Sequence, residues 1–555
     1  MGTMVTSLFL LGAVTACGTD TIQLAADGET DYRIVVADDP SVEVVAAAGE
    51  LAGFLKQVTG AEFPVIKGSS ARSEHQIMVG RSPVLDEIKL PVNWKALGPE
   101  GFVIRTVGRK LVIAGGPRRG TINGVYTFLE DIIGCRWYTP KFSVIPHKPT
   151  LTLPPLNVQM IPDFDMRWLE RNPELDWAAR QRLNYFPHDK LIDLKNPKLA
   201  GSGHSVRSDH HTLVPDGLLP YAEFDKHPEY FALVKGKRMQ KGQPCLTNPG
   251  LFDVIIRNAK TWIEHEVAPG RFISISGGDF GNLCECPKCT AVRKKHGWSG
   301  GEMLFVNKVA AELEKDYPDL LVDTLAYSFT QSPPADMTMH KNVQIRYCPI
   351  HLCYHHAFDE CDYNLKKRHP LSTLAGWIDI APRVCVWYYA LPPAQEPLYP
   401  YPNINCLSRN FKLMHNAGVK GLMIQNRWYT EQTGGLVELK DYLYVKLLWN
   451  PDYDVQKGIE EFCRACYGAA APQIIAYVKL VNDTETYYPG EPANDSFTTG
   501  VPGMHVRIGR RIPIKKSTLV TIKKLFDKAE RTVANDAGSL ERVKRVKLSL
   551  EAAMK

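Results

Sequence analysis

The sequence of 555 residues lacks the signatures of several large functional classes. It has no Walker phosphate loop, no glycine-rich dinucleotide fingerprint, no serine nucleophile elbow and no zinc-protease helix motif. Beyond the N-terminus it also has no apolar run long enough to span a bilayer. The sequence therefore gives no indication of these functional classes.

The sequence also lacks a strong excess of one charge. Its 66 basic and 60 acidic residues give a net charge of +6 and are mixed along the chain. The stretch "KKSTLVTIKKLFDKAERTV" is the most basic part, and its spacing is typical of a solvated helix face. We therefore expect no nucleic-acid partner. Hydrophobic residues make up 44% and charged residues 23%, the profile of a globular protein, and the length favours two or three domains.

Residues 1–20 differ from the rest. The segment "MVTSLFLLGAVTACGTD" resembles a bacterial lipoprotein signal in which Cys17 becomes the lipidated first residue. It departs from that pattern because no Lys or Arg precedes the apolar core and because Val14 stands where Leu is commonest. We expect an exported lipoprotein, periplasmic or at the cell surface, that meets the membrane through its lipid anchor only. A plain buried helix is the alternative.

Residues 21–155 have the pattern of a small α/β domain. Short apolar runs predict strands, and two longer segments have helical periodicity. The strands are "DYRIVVAD", "HQIMVG", "GFVIRTVG" and "KLVIAGG", and the helices are "VEVVAAAGELAGFLKQVTG" and "TINGVYTFLEDIIGCRWYTP". The proline-rich segment "LTLPPLNVQMIPDFD" then marks a domain boundary.

Residues 160–450 alternate between strand-like and helical runs. The clearest strands are "MRWLE", "RFISISGGD", "LVDTLAYSF", "VQIRYCPI", "RVCVWYY" and "VKGLMIQN". Strands separated by helices imply a parallel sheet, and the length fits a closed (β/α)₈ barrel of the TIM type. Residues 451–555 are mainly helical. Because the chain stops at Lys555 inside a helical run, we expect this region to be truncated.

Several segments resemble the bacterial family of domain of unknown function 4838. They are "HPEYFALVKGKR", "QPCLTNP", "ISISGGDFGNLCECPKC", "VDTLAYSFTQSPP" and "YLYVKLLWNPDYD". The N-terminal segment "GPRRGTINGVYTFLEDIIGCRWYTP" is similar to the domain that precedes the barrel in α-glucuronidases and β-hexosaminidases. The resemblance implies a carbohydrate-active barrel enzyme. We expect an exported glycoside hydrolase that acts on a glycan, with uronic or amino sugars as candidate components.

Two positions depart from the family pattern. Tyr388 in "VWYY" stands where relatives often have Asp, and Gln425 in "GLMIQNRW" stands near a position where they often have Glu. If those carboxylates are catalytic in relatives, this chain has rearranged or lost its chemistry. The alternative function is therefore a non-catalytic, glycan-binding lipoprotein on a barrel scaffold.

Asp279 is the first candidate for a catalytic residue. It follows "FISIS", which we count as the fourth barrel strand, and barrel enzymes carry their sites at the carboxyl ends of strands. Glycoside cleavage needs a carboxylic acid and usually a second carboxylate opposite it. Glu170 and Glu431 are our candidates for that second group, and Glu285, within the cysteine loop, is a third residue of the same kind. The alternatives are a turn cap for Asp279 and solvated loop residues for the glutamates.

Polar and aromatic residues near the predicted strand ends form a candidate substrate site. The loop "GSGHSVRSDHHTLVP", placed after the second strand, supplies His204, Arg207, His210 and His211, with a metal site as an alternative. Further candidates for substrate binding are Tyr327, Arg346, His351, Trp387, Tyr388 and Arg427, joined by Trp428. Aromatic faces stack on sugar rings, and basic groups suit an acidic sugar. The alternatives are core packing for the aromatics and a buried ion pair for Arg346.

The loop "GGDFGNLCECPKC" contains Cys284, Cys286 and Cys289. In an exported protein a disulfide is the favoured use of these residues, and a structural zinc ion with a fourth cysteine from elsewhere is the alternative. Apart from that zinc we expect no cofactor. The cysteines elsewhere in the sequence that could pair with this loop, in a disulfide or at a zinc ion, are Cys135, Cys245, Cys348, Cys353 and Cys361. In either case the cysteines would clamp the loop that carries Asp279.

Overall fold

The computed structural model describes residues 21–554 with gaps. The gaps are 69–73, 84, 86–87, 89, 171–173, 187–195, 214–216, 266–270, 280, 391–399, 427–435, 484–495, 499–504 and 508–513. Cys17, the predicted lipidation site, therefore lies outside the described residues, as do Arg427, Trp428 and Glu431. The chain divides into two compact units, one running to Arg136 and including Ile145–Ile161, the other comprising Trp137–Val144 and the chain from Pro162 onward.

The first unit contains a six-stranded mixed sheet. The strands of the N-terminal part of the chain are β1 (Ile22–Ala25), β2 (Arg33–Val36), β3 (Val65–Lys67), β4 (Gln76–Val79), β5 (Phe102–Val107), β6 (Lys110–Gly115), β7 (Arg136–Thr139), β8 (Phe142–Val144), β9 (Leu151–Leu153) and β10 (Asn157–Met160). Of these, β8 and all of β7 but its first residue belong to the second unit. The sheet has the order β10-β5-β6-β4-β2-β3, with β5 and β6 antiparallel and β2, β3 and β4 parallel. These strands confirm the predicted α/β pattern.

Among the described residues, the helices α1 (Val42–Thr59) and α2 (Gly120–Thr127) accompany this sheet. Helix α1 buries Leu51, Leu55 and Val58, which recur at three-to-four spacing. It ends at Gly60, whose φ of 84° places it in the left-handed region and lets its N–H bond to the carbonyl of Lys56. The sequence pattern therefore predicted both the periodicity and the end of this helix.

The second unit is built around a parallel sheet. Its strands are β11 (Met166–Leu169), β12 (Tyr185–Phe186), β13 (Gly203–His204), β14 (Phe231–Val234), β15 (Lys237–Pro244), β16 (Phe272–Ser274), β17 (Leu321–Ala326), β18 (Val343–Tyr347), β19 (Arg383–Tyr389), β20 (Gly421–Gln425), β21 (Ser496–Thr498) and β22 (His505–Arg507). Six of them form one parallel sheet in the order β11-β20-β19-β18-β17-β16. Strands β14 and β15 form a separate antiparallel hairpin.

The short strands β12 and β13 close this sheet into a ring. They pair with each other in parallel, and Ser205, next to β13, bridges to Phe272 of β16. On the other side, the backbone N–H of Asn184 bonds to the carbonyl of Arg167 in β11 at 3.2 Å. Eight strands therefore follow one another in chain order, which confirms the predicted (β/α)₈ barrel and places β16 fourth.

Helices surround the strands and make up the C-terminal region. They are α3 (Leu175–Arg180), α4 (Pro249–Glu264), α5 (Pro287–His296), α6 (Gly300–Leu313), α7 (Pro370–Ile380), α8 (Leu407–Ala417), α9 (Val437–Trp449), α10 (Val455–Tyr467), α11 (Ala471–Asn482), α12 (Lys516–Thr532) and α13 (Ala537–Met554). None of the helices in the described part of the chain has the length and apolar content needed to cross a bilayer.

Candidate active site

Asp279 is exposed on a loop that follows β16 at the carboxyl end of the barrel. The backbone before it is held firmly. Gly278 and the side chain of Gln243 exchange two hydrogen bonds, of 3.1 and 2.8 Å. A Cβ on Gly277 would lie 2.8 Å from Oε1 of Gln243, so a larger residue here would displace that side chain. The loop therefore presents an exposed carboxylate on a fixed backbone.

Tyr327 contacts Asp279 directly. Its hydroxyl donates a hydrogen bond of 3.1 Å to Oδ1 of Asp279. Tyr327 follows β17, and burial together with the negative charge of Asp279 raises the pKa of its hydroxyl. Because the phenol stays protonated, it remains a hydrogen-bond donor to the carboxyl group of Asp279. This contact places Tyr327 in the mouth of the barrel rather than in its apolar core.

His211 lies beside this pair. Its Nδ1 donates to the carbonyl of Gly277 at 2.7 Å, because a carbonyl oxygen only accepts. Burial lowers the pKa of His211, so near neutral pH its ring is uncharged and Nε2 is an acceptor. The ring centroids of His211 and Tyr327 are 6.2 Å apart, and those of His211 and His210 are 5.0 Å apart.

His210 connects His211 to aromatic residues of β19. Its ring meets the indole of Trp387 edge to face at 5.5 Å, and Trp387 stacks on Tyr389 at 5.9 Å. Burial lowers the pKa of His210, but the hydrogen bond and charge of Asp209 outweigh it, so the net pKa is raised. We call the connected residues the mouth cluster; they are Asp279, Tyr327, His211, His210, Trp387 and Tyr389.

Arg346 lies inside the barrel and not at its mouth. Its side chain is fully buried and forms ion pairs of 2.6 Å with Asp323 and 3.1 Å with Asp209. Three aromatic rings surround the guanidinium, those of Trp168, Phe272 and Trp387. The structure thus shows the ion-pair alternative for Arg346. This guanidinium is already engaged and is not presented to a ligand.

Tyr388 is also placed differently from the expectation. Side chains alternate along a strand, so Tyr388 points to the opposite face from Trp387 and Tyr389. It is fully buried against Phe411 of α8 and Tyr444 of α9. Its assignment as a substrate-binding residue is therefore corrected, because it packs between the barrel and the helices.

The remaining basic candidates are dispersed. His204 is buried within β13, not in a loop after the second strand. Arg207 is exposed, and its guanidinium lies 5.3 Å from the ring centroid of Trp262 on α4. His351 is buried, and burial followed by the charge of Arg368 lowers its pKa to about 4. The structure does not bring these residues into the mouth cluster.

Glu170 is the described candidate for a second carboxylate. It follows β11, is half-buried, and its backbone N–H bonds to the carbonyl of Ile424 in β20. Its charge is close enough to His210 to contribute to raising the pKa of that ring. Glu170 therefore lies near the mouth cluster, and its catalytic role stays a prediction.

Glu302 is a residue that the sequence reasoning missed. It lies on α6, is buried, and its Oε1 accepts hydrogen bonds of 3.2 Å from the N–H of Gly277 and the hydroxyl of Thr324. Burial raises the pKa of its carboxyl to about 7, against the lowering effect of these two bonds. Its position three residues before the buried Phe305 was an available signal, because it shares the buried helix face.

The cysteines of the Asp279 loop do not form disulfides. All twelve cysteines that the structure describes, from Cys135 to Cys466, carry free thiols. Cys284, Cys286 and Cys289 instead gather around Cys245, which follows β15. The disulfide expectation for this loop is thus corrected in favour of a four-sulfur cluster.

The family of the chain follows from its sequence match. The model described as domain of unknown function (DUF4838) matches residues 137–479, which is more than half of the chain. The chain belongs to the DUF4838 family. The model of the glycosyl hydrolase family 67 N-terminus also matches residues 25–128. Both matches confirm the resemblance drawn from the quoted segments.

Solved structures similar to this DUF4838 protein include glycoside hydrolases. A GH115 4-O-methyl-α-glucuronidase, BtGH115A, with specificity for decorated arabinogalactans, aligns with a TM-score of 0.59 and 14% identity over 96% of this chain and 72% of its own. CpGH84B aligns with a TM-score of 0.54 and 11% identity over 96% and 88%. A β-hexosaminidase of Streptomyces plicatus reaches only 0.45 at 11% identity over 83% and 93%.

The likenesses to BtGH115A and CpGH84B establish the fold of the DUF4838 protein. At such low identity, the first two show that it shares the architecture of glycoside hydrolases, and they do not assign its reaction. Among curated proteins, none matches the chain.

Proposed function

We propose that the protein is a glycoside hydrolase in which Asp279 is a catalytic carboxylate. The observation that carries the proposal is the geometry of Asp279. It is exposed at the carboxyl end of the fourth barrel strand, and Tyr327 donates a hydrogen bond to it at 3.1 Å. Barrel enzymes place catalytic groups at this end of their strands.

The mouth cluster, together with the nearby Glu170, supports this proposal. Asp279 would exchange a proton with the glycosidic oxygen or attack the sugar carbon, and Glu170 is the proposed second carboxylate. Neutral His211 keeps an acceptor nitrogen at Nε2, which suits a sugar hydroxyl. Trp387 and Tyr389 are buried and form the aromatic surroundings of His210.

The test is a panel of glycans on which hydrolysis and binding are measured in parallel. Turnover by the wild-type protein that is lost in Asp279→Asn supports the proposal. Binding without turnover on the same panel favours a glycan-binding protein instead. One observation favours that second function: the strand-end residue of β20 is the amide Gln425, which accepts a hydrogen bond of 3.0 Å from the indole of Trp387.

An acidic sugar remains a narrower proposal. Neither Arg346, which is paired with carboxylates, nor Arg207, which lies over Trp262, supports it. It now depends chiefly on Arg427, which lies outside the described residues. Comparing binding of a uronate glycan with its methyl ester, in the wild type and in Arg427→Met, tests it. Equal binding of both glycans by the wild type would reject an acidic substrate.

Export as a lipoprotein is also a proposal, supported by the apolar segment that ends at Cys17. Expression of the full chain in a bacterium with labelled palmitate tests it. We expect label in the wild type and none in Cys17→Ala. Equal labelling of both chains, or of neither, would reject lipidation at this residue.

A further inference from the structure

We propose that Cys245, Cys284, Cys286 and Cys289 bind a structural zinc ion. Their four sulfur atoms all lie within 4.8 Å of one another. Cys284 and Cys286 are buried, as is Cys245, whereas Cys289 is half-buried. The fourth residue, Cys245, lies 39 positions before Cys284 in the sequence, and the fold brings it to the loop.

The distances between the sulfurs fit a metal better than a disulfide. Sγ of Cys245 is 3.8 Å from Sγ of Cys286 and 3.9 Å from Sγ of Cys289. A tetrahedral site with zinc–sulfur bonds of about 2.3 Å has sulfur–sulfur edges of about 3.8 Å. A disulfide would need about 2.05 Å. Four cysteines around one point are also the ligand set of structural zinc.

The surroundings stabilise thiolates, which are the form that binds a metal. The backbone N–H of Cys289 bonds to Sγ of Cys286 at 3.5 Å, and that of Leu233 bonds to Sγ of Cys284 at 3.4 Å. Cys286 is the N-cap of α5, so the helix dipole favours negative charge there. The guanidinium of Arg238 also contacts Cys284, at 4.0 Å. These groups offset the excess negative charge of four thiolates around one divalent ion.

The cluster joins two elements that hold the Asp279 loop. Cys245 directly follows the β14–β15 hairpin, and the other three cysteines follow Asp279. Between them, Glu285 N–H bonds to Leu233 O at 2.7 Å and Gln243 N–H bonds to Asn282 O at 3.2 Å. Gln243 in turn holds Gly278, next to Asp279. The zinc site itself does not depend on the proposed glycosidase activity, because it is tested by metal content.

Metal content of the purified full chain is the decisive measurement. We expect the wild type to hold about one more zinc per chain than Cys289→Ser, since loss of one ligand opens the site. Cys463→Ser, which changes a buried cysteine of α10 outside the cluster, is the matched control and should keep the zinc. The measurement compares the zinc content of the variant with that of the wild type, because Cys353, His356 and Cys361 form a second group of candidate ligands that could also hold zinc.

A second measurement on the wild type covers the case in which Cys289→Ser does not fold. Titration with an organomercurial should release the zinc as the four thiols react, and cobalt exchanged into the site should show thiolate charge-transfer absorption. Zinc-free wild type, zinc content unchanged in Cys289→Ser, or a disulfide among these four residues in non-reduced peptides would overturn the proposal.

Discussion

Two carboxyl groups near the same loop differ in their exposure. Asp279 is exposed and bonded to a phenol, whereas Glu302 is buried beneath Gly277. An exposed carboxylate can be changed with little effect on folding, and a buried one cannot. The two residues therefore allow tests of catalysis and of stability that do not interfere with each other.

For Asp279→Asn, we expect hydrolysis to fall by about 10²–10⁴-fold, the usual contribution of an acid–base group. The thermal midpoint should be nearly unchanged, because the side chain is exposed. Rates on the best glycan of the panel and thermal unfolding check both statements. Asp253→Asn, an exposed change on α4, is the control. Near-normal turnover in Asp279→Asn would remove this residue from the mechanism.

Glu302→Gln should change how stability depends on pH. Burial raises the pKa of Glu302 from 4.5 to about 7, so the folded state prefers the protonated form. The resulting stability is complete below pH 4.5 and is lost as the pH rises through 7, a change of about 3 kcal/mol. Urea unfolding at several pH values from 4.5 to 8 should show this loss in the wild type and a smaller one in the Gln variant. Parallel curves for the two proteins would contradict the prediction.

At the scale of elements, the sequence predicted the long barrel strands well. β17, β18, β19 and β20 all fall within the quoted apolar runs, and Asp279 follows the fourth strand as expected. The strands β12 and β13 were missed because two residues are too few to show periodicity. Tyr388 was misplaced because both faces of a barrel strand are buried, so apolar character does not reveal which face a residue takes.

The hairpin β14–β15 acts on the Asp279 loop through Gln243. Gln243→Leu removes the two hydrogen bonds to Gly278 and should cost about 1–3 kcal/mol. Amide exchange in the loop after β16 should accelerate, because its backbone loses this support. Gln240→Leu is the matched control on the same strand, where the side chain bonds only to Tyr221 O among the contacts described. Equal loop exchange in both variants would show that Gln243 does not hold the loop.

At the scale of the whole barrel, Arg346 joins the strand residue Asp323 to Asp209 in the loop after β13. Arg346→Met leaves both carboxylates without this partner in the interior and should lower the free energy of unfolding by about 3–5 kcal/mol. The control Arg545→Met breaks a partly exposed pair with Glu438 and should cost no more than about 1 kcal/mol. Urea unfolding measures both, and similar losses would mean that the barrel does not depend on Arg346.

The unequal lengths of the barrel strands have a kinetic consequence. Six strands form one continuous sheet, whereas β12 and β13 contribute two residues each and meet β16 through a single bridge. This side of the ring has few backbone hydrogen bonds between strands. They can form only once β11 and β16, the edge strands of the six-stranded sheet, are in place. We therefore expect the β12–β13 side to form last during folding and to open first in local unfolding. It is the side of the barrel with the loop that carries His210 and His211.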